Sequence, residues 1–219
     1  MEKEVKNEVT ELVFILDKSG SMEGMEKDTV GGFNAMIEKQ KATEGKVYVS
    51  TVLFSNHSQV LHDRKSLEEI QPLTVADYEV GGCTALLDAI GGAIKHIANV
   101  HKYAREEDVP ARTLFVITTD GMENASRRYS SRKIKEMIRK QEEEFGWEFL
   151  FLAANIDAVE TAKSIGIKKE RAVNYSVEEE TGEMFEVLSD TICSYRVCAS
   201  MDCGASFERK MREIGKKKK

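Results

Sequence analysis

A chain of 219 residues, 41% hydrophobic and 32% charged, fits one large domain, or one domain with a tail, and can bury a core without disulfide or metal staples. No stretch approaches the roughly 20 apolar residues of a membrane span, and the charged segment Met1–Glu8 lacks the apolar run of a signal peptide, so a cytoplasmic protein is expected. The net charge of −6 is uneven: residues 207–219 hold seven Lys or Arg against two Glu, and the −6 of the whole less the +5 of this end leaves −11 on an acidic body ill suited to a phosphate-backbone binder.

Strands alternate with helices along the chain, the pattern of a mostly parallel sheet covered on both faces. Residues 1–7 read as an N-terminal extension. The first strand is expected over Val9–Leu16, with the buried-looking run Leu12-Val13-Phe14-Ile15-Leu16. A helix begins after Gly24, and Val30, Phe33 and Ile37 give it an apolar stripe at helical spacing. Gly31-Gly32 weakens that helix by propensity and is read as close packing against the sheet rather than as a hinge. A second strand follows at Lys46–Phe54. The four-residue turn Ser55–Ser58 is too short for a parallel crossover, so a short strand at Gln59–His62 should pair antiparallel. Segment 63–83 reads as loop with one short turn of helix, ending at Gly81-Gly82, where backbone can approach backbone closely.

An amphipathic helix is expected over Thr84–Lys102, with Leu86, Ile90, Ile94 and Ile97 inward. Strand Arg112–Thr119, helix Ser131–Glu144, strand Trp147–Ala154, helix Ala158–Ser164 and strand Ala172–Tyr175 complete the alternation. A last helix runs from about Glu183 to Ala199, with Phe185, Leu188, Ile192 and Tyr195 inward. The fold class is therefore α/β: a doubly wound, mostly parallel, six-stranded sheet with one antiparallel edge strand and helices on both faces. Residues 201–219 are expected to form a basic, disordered tail.

Three segments carry candidate chemistry. Asp17-Lys18-Ser19-Gly20-Ser21 directly follows the first strand, at the carboxyl end where open α/β sheets place their ligands. It offers one carboxylate and two hydroxyls at alternate positions. Gly81-Gly82-Cys83-Thr84 and Thr118-Thr119-Asp120-Gly121 add a third hydroxyl and a second carboxylate, the latter again after an apolar strand, Leu114–Ile117. These are hard oxygen donors, suited to Mg²⁺ or Mn²⁺. Two carboxylates packed together repel and raise a pKa unless a cation sits between them.

The three segments resemble the von Willebrand factor type A (VWA) domain, whose metal-ion-dependent adhesion site reads Asp-x-Ser-x-Ser, then Thr, then Asp. The matching residues are Asp17, Ser19, Ser21, Thr84 and Asp120, and the resemblance covers most of residues 8–198, so a VWA domain is expected over 8–200. The resemblance implies that Ser19, Ser21 and Thr84 bind Mg²⁺ (or Mn²⁺) directly and that Asp17 and Asp120 act largely through water. It also implies an open position that takes an Asp or Glu of a protein partner. The expected function is a metal-dependent protein-binding module. The alternative is a subunit of an AAA-type ATPase or stress-response complex. In integrin inserted domains of this family the last helix slides; here its apolar stripe favours static packing. Lys18 lies between ligands as a solvated or steering charge, and Cys83 is read as filler beside Thr84.

Enzyme readings fit less well. A phosphatase of the haloacid dehalogenase type needs a second Asp where this chain has Ser19. No nucleophile elbow surrounds either serine, and no phosphate-binding glycine loop is present. His57, His62, His96 and His101 lack metal-ligand spacing and read as surface or packing residues. A metal-dependent hydrolase is thus the least favoured class, and no catalytic residue is expected. Cys193, Cys198 and Cys203 recur every five residues, which rotates successive thiols by about 140° on a helix, so they share no face and read as reduced thiols.

Overall fold

The computed structural model describes residues 9–154, 156–175 and 177–197, with side chains of the last segment described from residue 184. The expected N-terminal extension, the basic tail, Cys198 and Cys203 lie outside the described residues. Six strands form one sheet: β1 (Thr10–Asp17), β2 (Val47–Phe54), β3 (Ser58–Ser66), β4 (Arg112–Thr119), β5 (Glu148–Ala154) and β6 (Ala172–Tyr175). Their order is β3-β2-β1-β4-β5-β6, all parallel except β3, which pairs antiparallel with β2 at the edge. Among the described residues four α-helices lie between strands, α1 (Glu26–Lys41), α2 (Leu86–Tyr103), α3 (Ser131–Phe145) and α4 (Ala158–Ser164), and a fifth, α5 (Val177–Val197), follows β6.

Strand period explains the layers. Successive side chains of β1 point to opposite faces. Leu12, Phe14 and Leu16 pack with Phe33, Met36 and Ile37 of α1 and with Leu188, Ile192 and Tyr195 of α5. Val13 and Ile15 pack with Leu86, Ile90, Ile94 and Ile97 of α2, Ile134 and Ile138 of α3, and Ala158 and Ala162 of α4. A strand covered on both sides needs apolar residues at every position, which is why β1 reads as a continuous run. All eight of its residues are buried.

Three elements depart from expectation: α5 begins at Val177 rather than at about Glu183, and β3 and α2 also differ. β3 runs to Ser66, four residues past His62, because Val49↔Lys65 and Tyr48↔Ser66 pair beyond register shifts at Thr51. Its outer face is solvated, so its residues alternate weakly and Asp63–Ser66 resembles a loop in sequence. Arg64, at φ 48°, turns its Nε onto the buried Glu11 at 2.7 Å. α2 starts at Leu86 rather than Thr84, which leaves Thr84 in the loop. The reading of Gly31-Gly32 holds for Gly32 with a different partner: a Cβ there would lie 2.1 Å from the ring of Phe185, so the close approach is to α5 and not to the sheet.

Candidate metal centre

β1 and β4 are neighbours, and their carboxyl ends carry Asp17 and Thr119. α1 leaves β1 on one face of the sheet while α2 feeds β4 from the other, so the crevice between these strand ends lies at the topological switch point. The loops after β1 and β4 and the segment before α2 converge there.

All five predicted residues come together. Asp17 is fully buried; its Oδ1 accepts the Ser19 N–H at 2.7 Å and its Oδ2 accepts the Thr119 hydroxyl at 2.5 Å. Ser19 Oγ and Ser21 Oγ are 3.0 Å apart, and Ser21 Oγ donates to Asp120 Oδ1 at 2.5 Å. Thr84 is located through Gly121. A Cβ built on Gly121 would stand 2.7 Å from Thr84 Oγ1, 2.9 Å from Ser21 Oγ and 3.5 Å from Ser19 Oγ. Three hydroxyls therefore surround a space that any larger residue at position 121 would fill.

The electrostatics point the same way. Burial pushes the Asp17 carboxyl above the ordinary carboxylate range, against the hydrogen bonds from Thr119 and Ser19 that pull it down. Burial also raises Asp120, and the charge of Asp17 adds to the rise. Asp120 Oδ2 is buried without a hydrogen-bond partner. A buried anionic oxygen lacking a donor is costly, of order 1–3 kcal/mol or more. Beside three hydroxyl oxygens it makes a hard, all-oxygen donor set that fits Mg²⁺ or Mn²⁺. Among the described residues no group of three or more His, Cys, Asp or Glu forms a softer alternative.

A supporting ring was not visible in the sequence. Tyr78, fully buried, donates its hydroxyl to the Asp17 carbonyl and so fixes the end of β1. Gly20 N–H bonds the Gly82 carbonyl at 3.0 Å, and Gly81 N–H bonds the Lys18 carbonyl at 2.9 Å, as the expected close approach requires. Gly82 has φ 84° and would drive a Cβ to 2.6 Å from Asn56 Oδ1. Asn124 Oδ1 accepts the Thr84 N–H at 2.9 Å, and Glu123 accepts the N–H groups of Leu87, Ala125 and Ser126. Ser126 Oγ accepts the Asp88 N–H at 3.0 Å. The free N–H groups at the start of α2 are thus capped by the loop after β4 rather than by a residue of their own. That loop's Gly, Asn and Ser announce a turn, but nothing local announces what the turn holds.

The remaining sequence candidates fall into place. Lys18 is half-buried and donates its Nζ to Gln59 Oε1 at 3.0 Å. Cys83 is exposed. His62 bonds Thr51, His96 bonds Asp63, and His101 bonds the buried Glu11 at 2.6 Å, so none joins the centre. A cleft of about 650 Å³ opens beside the centre, between the Asn56–His57 turn and the 124–128 loop. Another cavity, of about 410 Å³, lies against Trp147 and His101 at the amino ends of the strands and touches none of the five residues.

Comparison with known proteins agrees with this fold. The family model of the von Willebrand factor type A domain matches residues 11–188. No curated protein sequence matches the chain. Among solved structures, proximal thread matrix protein 1 from the mussel byssus, with a zinc-occupied MIDAS motif, is 16% identical with a TM-score of 0.57. That match covers 84% of this chain and 46% of the mussel protein. A von Willebrand factor type A protein from Catenulispora acidiphila is 13% identical with a TM-score of 0.54, covering 84% of this chain and 42% of that one. The ArnB paralog VWA2 from Sulfolobus acidocaldarius is 18% identical with a TM-score of 0.51, covering 86% and 45%. The present chain spans less than half the length of each of these three.

Proposed function

The chain belongs to the von Willebrand factor type A family, and from that premise we propose that it is a binding module that captures a carboxylate of a protein partner through a divalent cation, Mg²⁺ or Mn²⁺. Ser19, Ser21 and Thr84 would hold the ion by their hydroxyls. Asp17 already accepts two hydrogen bonds, which suits a role through water, and Asp120 supplies the nearby negative charge. When bound, the ion supplies an electrophilic site for an outside Asp or Glu, because few anionic oxygens touch it. The observation that carries this reading is the buried, unpartnered Asp120 Oδ2 beside the three hydroxyls around Gly121.

Binding rather than catalysis is the chemistry supported. Ser19 and Ser21 bond each other and Asp120, and no histidine bonds either. The base within hydrogen-bond reach of Ser21 is Asp120, and in this reading its charge serves the cation rather than the activation of a serine. The test is a calorimetric Mg²⁺ titration of wild type and Asp17→Asn, followed by capture of partners with and without EDTA. One-site Mg²⁺ binding lost in the variant, and EDTA-sensitive capture, are expected. Equal Mg²⁺ binding in both proteins would refute the assignment.

A further inference from the structure

The cleft beside the centre is lined by Asn56, His57, Cys83, Asp88, Arg127 and Arg128 among others. Its one lining carboxylate is already spent. Asp88 Oδ1 accepts the N–H groups of Arg128 and Tyr129, at 2.9 and 3.0 Å, and its Oδ2 accepts the Arg127 N–H at 3.0 Å. Burial raises the Asp88 carboxyl, but these three backbone bonds, with a smaller contribution from the Arg128 charge, outweigh it and hold the group below the ordinary range, so it stays charged and engaged. The same bonds fix the backbone of the two arginines, whose side chains are exposed. Neither guanidinium forms an ion pair with a described residue, whereas Arg64, Arg105 and Arg171 each do. The loop that carries the arginines is the loop whose Asn124 bonds Thr84, so cleft and centre are one rigid unit. A chain of net charge −6 thus presents two exposed cations next to its candidate ligand position, neither in a contact ion pair with a described residue although the Arg128 charge acts on Asp88. Met122, 74% exposed, stands two residues after Asp120 as an apolar contact for whatever docks.

We infer that Arg127 and Arg128 form the second half of the recognition surface, selecting a partner segment that carries a second Asp or Glu beside the one held at the centre. This rests on the carboxylate-capture reading above. The attraction costs little preorganisation, because the arginine backbone is already fixed, and the acidic remainder of the chain repels a misplaced acidic segment.

The experiment uses the full chain and fluorescent Gly-based peptides that carry one Asp, or two Asp separated by glycine spacers of increasing length. Anisotropy titrations are run in saturating Mg²⁺ and in EDTA, with wild type and the Arg127→Gln/Arg128→Gln double variant. In Mg²⁺ the best two-Asp peptide should bind about three- to tenfold tighter than the one-Asp peptide, as expected for exposed ion pairs linked to a first contact. The double variant should lose that gain and keep its one-Asp binding and its Mg²⁺ titration. A two-Asp peptide that never binds more tightly, or a gain that survives the double variant, overturns the inference. Failure of the one-Asp peptide to bind in Mg²⁺ overturns the carboxylate-capture reading alone, since arginine-dependent binding of the two-Asp peptide in EDTA still establishes the cleft, and its absence removes the cleft as well.

Discussion

At the scale of single residues, the site is a space defined by what Gly121 lacks. Gly121→Ala places a methyl within 2.7 Å of Thr84 Oγ1 and 2.9 Å of Ser21 Oγ, so it should abolish Mg²⁺ binding while every ligand remains. Calorimetry reads the loss, and circular dichroism should show the fold retained. Asp120→Asn separates charge from shape. It keeps an acceptor for Ser21 and removes a buried charge whose Oδ2 has no partner. Metal-free protein should therefore gain stability, about 1 kcal/mol, seen as a melting temperature roughly 2–4 °C higher for a domain of this size. The same variant should lose Mg²⁺ affinity. Asp17→Ala is a poorer probe, because it strands the Ser19 N–H and the Thr119 hydroxyl. His62 supplies a pH dependence. Burial lowers its pKa below 6.5, so the fold favours the neutral ring. The sign follows: a base depressed in the fold contributes stability that is present above pH 6.5 and lost as pH falls through that value. His62→Gln should flatten the melting temperature between pH 7 and about pH 5 relative to wild type.

At the scale of elements, α5 is held by shape. Phe185, Leu188, Ile192 and Tyr195 are each buried, at roughly 1.5–3 kcal/mol per side chain. The surface pair Lys39–Asp190 adds no more than about 1 kcal/mol, so packing on α1 and the sheet decides the helix position. Gly32 is the point of close approach in that packing. Gly32→Ala should destabilise by about 1–3 kcal/mol through overpacking against Phe185, although alanine favours an isolated helix. Denaturant melts of Gly32→Ala, Phe185→Leu and the double variant form a cycle in which the double should recover part of the loss. A neutral Gly32→Ala would show that α5 shifts easily. Arg196 completes the anchor: it is buried and donates to the carbonyls of Gln40, Thr43, Glu44 and Gly45, tying the end of α5 to the end of α1 and the turn into β2.

At the scale of the whole molecule, the two-sided core makes the sheet a fixed frame and leaves the strand ends to carry function. Three loops from β1, β4 and the start of α2 are cross-tied there, so cation binding should stabilise the domain rather than reshape it. Mg²⁺ at about 100 times its dissociation constant should add about 2.7 kcal/mol, raising the melting temperature by roughly 5–10 °C. EDTA should reverse the shift, and Gly121→Ala should show none. A shift equal in wild type and Gly121→Ala would place the effect elsewhere on the surface.

The sequence by itself determined the layers and the five candidate residues. Apolar runs at β1, β4 and β5, and helical stripes on α2 and α5, are local patterns, because burial on one or two faces dictates residue type at fixed period. Asp17, Ser19 and Ser21 were legible because one loop carries them at alternate positions after a strand, and Thr84 and Asp120 because they complete, in order, the pattern that resembles the family's metal site. Only the tertiary structure decided the rest. The capping of α2 by Glu123 and Ser126, the Tyr78 bond to β1, the Glu11 contacts with Arg64 and His101, and the meeting of Gly32 with Phe185 join residues 36 to 153 positions apart. Such contacts leave no periodic trace, since each is one residue meeting one residue across the fold. The extension of β3 was hidden for a related reason: an edge strand with a solvated face has no apolar alternation to reveal it, and pairing with β2 alone makes it a strand.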